Sequence, residues 1–101
     1  MHIGMSLSPF GHHPAAWRKK VGAPAELDAT YFAAQVKKAE NAALDFVLFA
    51  DVQALRPTTE LSPQAIPFEP TTLVAALSTL ARRIGFIATA ATAQHELYNL
   101  A

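Results

Sequence analysis

The segment GHHPAAWR, positions 11–18, sets two adjacent histidines beside a proline and the single tryptophan of the chain. Imidazoles can ligate metal, but neighbouring histidines project in different directions. No carboxylate stands three or four residues on to complete a ligand set, which argues against a metal site. Trp17 offers a broad apolar face next to the polar rings of His12 and His13. That combination suits a loop over a substrate pocket, with a plain surface turn as the alternative. Asp51 closes the apolar run FVLFA, 46–50. It reads equally as a turn residue or as a carboxylate at the mouth of a sheet. ATAAT, 88–92, is small and flat. It fits either close packing against a helix or close approach by a planar ligand. His95 follows with no role that its position assigns. No glycine pattern for dinucleotides or for a phosphate-binding loop is present.

The elements that must position these residues follow from periodicity. HIGMSLS, 2–8, is short and mostly apolar, as in a buried strand. A long loop over 9–27 carries prolines at 9, 14 and 24. Asp28 offers an N-cap, and the alanine-rich stretch to 43 has Tyr31/Phe32, Gln35/Val36 and Ala39 at helical spacing. FVLFA, lying between helices, reads as a strand buried on both faces. A second loop over 52–68 contains prolines at 57, 63 and 67. Pro70 suits a first helical turn with Glu69 at its positive end, so a helix is predicted over 70–82 with Arg82 and Arg83 at its close. A third strand is predicted over 84–90. Strands alternating with helices imply parallel pairing. In such folds the loops after the strand C-termini carry function. His12, His13, Trp17, Asp51, Thr92 and His95 all fall on that side.

Composition narrows the class. The chain has 101 residues, 51% hydrophobic and only 16% charged. That balance suits one small domain that buries a face against more protein. Formal net charge is zero and no basic stripe appears, so nucleic acid is not expected as a partner. The absence of cysteine excludes disulfides, thiolate zinc sites and a cysteine nucleophile. The N-terminus lacks the charge and apolar core of a signal peptide, and no apolar run reaches membrane-spanning length, so a cytoplasmic location is expected.

GHHPAAWR, FVLFAD, FEPTTLVAAL and RRIGFIATAAT, followed by Tyr98-Asn99-Leu100-Ala101, together resemble the start of the flavin-dependent monooxygenases similar to nitrilotriacetate monooxygenase. These belong to the bacterial luciferase-like superfamily. The resemblance covers nearly the whole chain and implies the N-terminal βαβαβ portion of a (β/α)8 TIM barrel. Residues 1–101 would then form one partial barrel domain, about three of eight strands, since a complete barrel needs roughly 200–250 residues. The implied activity uses oxygen and reduced FMN, supplied by a separate flavin reductase, to oxygenate a small organic substrate. A homo-oligomer is the expected assembly. By resemblance, Asp51 and Thr92 approach the flavin and His12, His13 and Trp17 border the pocket. A non-proline cis peptide is implied within 90–92 of the intact enzyme. Two departures stand out. Ala91-Thr92-Ala93 replaces a Ser-Thr-Thr-like stretch, and Gln94-His95-Glu96-Leu97 replaces an Asn-Glu-Pro before the tyrosine. Two other readings stay open: a non-catalytic fragment acting only through association, and a barrel that transfers hydride with a deazaflavin.

Overall fold

A computed structural model describes residues 1–8, 12–13, 28–51, 68–92 and 96–100 of the chain. Both long loops fall almost wholly outside the described residues. Along the chain, β1 (Gly4–Ser6) leads to α1 (Ala29–Asn41), β2 (Phe46–Phe49), α2 (Pro70–Ser78), β3 (Gly85–Ala88) and a single turn of helix, α3 (Leu97–Leu100). The three strands form one sheet in the order β1-β2-β3, and both pairings are parallel, as the alternation of elements predicts.

Each helix starts where a side chain can satisfy its first amides. Asp28 accepts from the Tyr31 N–H at 2.8 Å to cap α1. Glu69 caps α2, receiving the Thr71 and Thr72 N–H groups at 2.9 and 2.7 Å, with Pro70 in the first turn where its missing N–H costs nothing. Both helices end earlier than the periodicity predicts, at 41 and 78 rather than 43 and 82. Ala43 has φ 58°, a left-handed conformation that stops α1. In the last turn of α2 and its C-cap, the Ser78 and Thr79 hydroxyls bond back to the carbonyls of Ala75 and Ala76. Beyond them, the N–H groups of Arg82 and Arg83 turn away from the helix to the carboxylate of Glu40, at 2.8 and 2.7 Å. Arg82 and Arg83 thus belong to a turn, not to the helix.

The buried set is Leu7, Phe32, Val36, Ala39, Val47, Phe49, Leu73, Leu77 and Ile84. Phe32, Val36 and Ala39 share one stripe of α1, while Leu73 and Leu77 do the same on α2. Both helices therefore cover the same face of the sheet, the one to which Val47 and Phe49 point. Phe32 meets Phe49 edge-on with ring centroids 6.3 Å apart, and Phe86 stacks against Phe49 at 6.5 Å.

The opposite face is a correction to the expected strand buried on both faces. Burial alternates along β2, with Val47 and Phe49 enclosed but Phe46 and Leu48 only half-buried. Ile87, in register with Leu48, is 41% exposed. β1 and β3, expected as buried strands, are largely exposed, and all three strands are shorter than the apolar runs that encode them. Among the described residues each outer strand has one partner, so its ends find no second ladder. On the open face the Phe46 ring lies directly over Gly4, where even a methyl group would overlap it. The described sheet is wound in sequence order, with α1 and α2 on one side. A doubly wound sheet would reverse its order and place helices on both sides.

Ala43 is exposed and pays the steric cost of left-handed backbone without glycine. Ala43→Gly is expected to raise stability by about 0.5–1 kcal/mol, the relief of that strain less the extra chain entropy of glycine. Denaturant midpoints at one fixed protein concentration would check it, and an unchanged or lowered midpoint would contradict it.

Candidate functional site

Because the strands are parallel, all their C-terminal ends open on one edge of the sheet, and there the sequence-predicted residues can be located. Asp51 follows β2 and is half-buried. Its N–H donates to the Thr89 hydroxyl at 2.7 Å, and its carboxylate accepts from the Ala91 N–H at 3.1 Å. The structure thereby joins the end of β2 to the segment after β3. Thr92 lies exposed one residue past Ala91. All described peptide bonds, those from 88 to 92 included, are trans.

His12 and His13 are exposed. His12 borders a cleft of about 490 Å³ along the free edge of β1, together with Ser8, Tyr31 and Gln35. Partial burial raises the Tyr31 phenol above its ordinary value. Nothing in this geometry brings His12 or His13 to Asp51. Trp17 and His95 lie outside the described residues. No cluster of three metal-ligating side chains occurs among the described residues.

Thr89 belongs to the mouth but escapes sequence reading, because a β-branched residue next to Ile87 and Ala88 looks like strand. Its signal is positional: it is the first residue past β3, opposite the first carboxylate past β2. Glu40 and Asp45 also escape, and both work at the other edge. Glu40 receives three successive N–H groups, those of Arg82, Arg83 and Ile84. Asp45 accepts from the Ile3 N–H at 2.6 Å and lies 3.4 Å from His2 Nδ1.

These bonds favour the charged form of each carboxyl. The Arg83 and Arg82 N–H groups hold Glu40 below the usual carboxylate range, and the Ile3 N–H and then His2 do the same for Asp45. Glu69 is lowered to about 2, first by the Thr71 hydroxyl and then by the Thr71 and Thr72 N–H groups.

Comparison with known proteins gives the chain a lineage. No protein-family model matches it. The chain is 35% identical over 101 residues to N-acetyl-S-(2-succino)cysteine monooxygenase of Bacillus subtilis, with 98% of this chain and 22% of that protein covered. It is 31% identical over 113 aligned positions to nitrilotriacetate monooxygenase component A of Aminobacter aminovorans, with all of this chain and 25% of that protein covered. Among solved structures, EDTA monooxygenase from Chelativorans sp. BNC1 superposes with a TM-score of 0.83 at 29% identity, over 99% of this chain and 23% of that one. The chain is homologous to part of the luciferase-like flavin monooxygenases, as its motifs suggest. It spans about a quarter or less of the length of the relatives it matches.

A group whose folded-state pKa is depressed stabilises the fold above its unfolded value and loses that contribution as pH falls through the folded one. Stability should therefore hold above about pH 5. It should decline as pH falls through the ordinary carboxylate range, with Glu69 keeping its contribution until about pH 2. Glu40→Gln and Glu69→Gln should each flatten that acid slope in circular-dichroism melts taken from pH 6 to 2. A slope that stays the same in both variants would contradict the assignment.

Proposed function

We propose that this chain forms one wall of a (β/α)8 barrel that oxygenates a small organic substrate with oxygen and reduced FMN, the flavin being delivered by a separate reductase. The observation that supports it most is alignment over nearly the whole chain with monooxygenases at up to 35% identity, on a singly wound sheet with Asp51 and Thr92 past the C-terminal ends of its strands. The name "component A" for one relative agrees with a second protein supplying the reducing equivalents. Residues 1–101 make a partial domain of about three strands in this reading. A cytoplasmic location and a homo-oligomer belong to the same proposal. Among the described residues no helix is long and apolar enough to cross a membrane.

The mouth of the sheet suits one part of the flavin. Ala90 and Ala91 are half-buried and Thr92 is exposed, so small side chains leave the main chain open to a planar ring. The Thr92 hydroxyl can hydrogen-bond the ring edge. The described lysines and arginines, Lys37, Lys38, Arg82 and Arg83, lie toward the ends of α1 and α2 that lead into the strands. None of these four described cations stands at the C-terminal edge to receive a phosphate. Bound reduced flavin would supply the electrons that activate oxygen; the residues of this chain would orient the ring and restrict water at its edge. His12, His13 and Trp17 would border the substrate. The three relatives' names share one chemistry, small molecules bearing several carboxylates, and imidazoles at the rim are suited to receive such groups. The second reading, a fragment acting only by association, rests on the open sheet face and on two strand edges that no described residue pairs.

Substituting this chain for the matching quarter of nitrilotriacetate monooxygenase component A tests the proposal. The chimera is expected to bind FMN and, with reductase and oxygen, to add one oxygen atom to a polycarboxylate, as read by mass spectrometry. A folded chimera that binds no flavin would overturn it. The 101-residue chain alone is expected to self-associate in sedimentation and to fall short of micromolar FMN affinity; a stable monomer that binds FMN at that level would contradict this.

A further inference from the structure

We infer that Asp51 is a positioning residue: it fixes the main chain of 89–91, and its effect on anything bound at the sheet mouth passes through that segment. The inference rests on the proposed flavin reading for what occupies the mouth, but not for the clamp itself. Two bonds of opposite sense carry it. The Asp51 N–H donates to Thr89 Oγ1 at 2.7 Å, and Asp51 Oδ2 accepts from the Ala91 N–H at 3.1 Å. They follow without a break on the ladder bond from the Thr89 N–H to the Phe49 carbonyl, at 3.1 Å. Residues 49 to 51 and 89 to 91 are thus laced together by three hydrogen bonds that continue from the last register pair, Phe49 and Ala88.

The lacing has a structural purpose that the sequence supports. Ala88, Ala90 and Ala91 carry no side chain able to anchor the segment by packing, and Thr89 is exposed. Small residues keep the backbone accessible to a ligand but leave it without a steric hold. The hold must then come from hydrogen bonds, and an ionised acceptor makes the stronger kind. Asp51, half-buried at the end of the best-packed strand, is rigidly placed to provide it. A carboxylate committed to a main-chain N–H shapes the mouth differently from one that touches the ring. It sets where Ala90, Ala91 and Thr92 stand.

Residue-resolved hydrogen exchange by mass spectrometry on the 101-residue chain, with and without millimolar FMN, tests this in Asp51→Ala, Asp51→Asn and Thr89→Val. Asp51→Ala is expected to speed exchange at the Ala91 amide about tenfold while the Val47 amide keeps its rate. Asp51→Asn retains an acceptor oxygen and should rescue most of that protection. Thr89→Val should speed exchange at the residue-51 amide and spare Ala91, a crossed pattern that general destabilisation cannot produce. FMN should slow exchange over 90–92 in the wild type and in Asp51→Asn, but not in Asp51→Ala. An Ala91 amide indifferent to Asp51→Ala would overturn the inference. So would Asp51→Asn losing the FMN effect while its Ala91 amide stays protected, since the carboxylate would then act on the ligand directly. If FMN protects nothing in any variant while the crossed pattern holds, the flavin reading fails and the clamp stands.

Discussion

Everything in this fold is hung on one strand that must satisfy its backbone in two directions. Among the described residues β2 is the only strand with a partner on each side, and its four residues lie between two aspartates, in the stretch DFVLFAD. Each aspartate extends the strand's reach past the regular ladder. At the start of β2, Asp45 exchanges two bonds with Ile3, through its own N–H and its carboxylate, and gives its carbonyl to the Gly85 N–H at 2.7 Å. At the other end Asp51 reaches toward the segment after β3. Between them Val47 and Phe49 are fully enclosed by the two helices. Parallel ladders are slightly weaker per residue than antiparallel ones, and three strands of three or four residues give few ladder bonds. Side-chain carboxylates at both ends add bonds where the short ladder stops.

The two edges of the sheet do different work. At the edge where the strands begin, Glu40 gathers the N–H groups of the turn between α2 and β3, and Asp45 ties down the N-terminus. Those contacts join one element to the next and serve stability. At the edge where the strands end, the residues are small, partly open and held by hydrogen bonds instead of packing. The same residue type, a carboxylate accepting main-chain N–H groups, closes a corner at one edge and leaves a surface accessible at the other.

Much of this was legible from residue order. Alternating apolar strands and capped amphipathic helices announce parallel pairing, and Asp28, Glu69 and Pro70 mark helix starts because capping is a local matter of a few adjacent residues. Element ends were less legible. The turn after α2 is held by Glu40, more than forty positions away, and the stop of α1 rests on an alanine in a conformation glycine usually takes. Burial was overestimated for a related reason: an apolar strand states that a face will be covered somewhere, not that this stretch of chain does the covering. At the mouth, sequence could mark Asp51 and Thr92 as chemically suitable, but the bond between Asp51 and Ala91 comes from register, which periodicity does not encode.

The ring of Phe46 over Gly4 has a consequence for how such a chain can vary over time. Gly4 and Phe46 are register partners on the open face, and the space one lacks is the space the other fills. A side chain at position 4 and a smaller residue at position 46 are therefore halves of one permitted change, each disfavoured without the other. Descendants of this sequence should cross between the two arrangements together, so that the pair behaves in an evolutionary record as a single two-letter character.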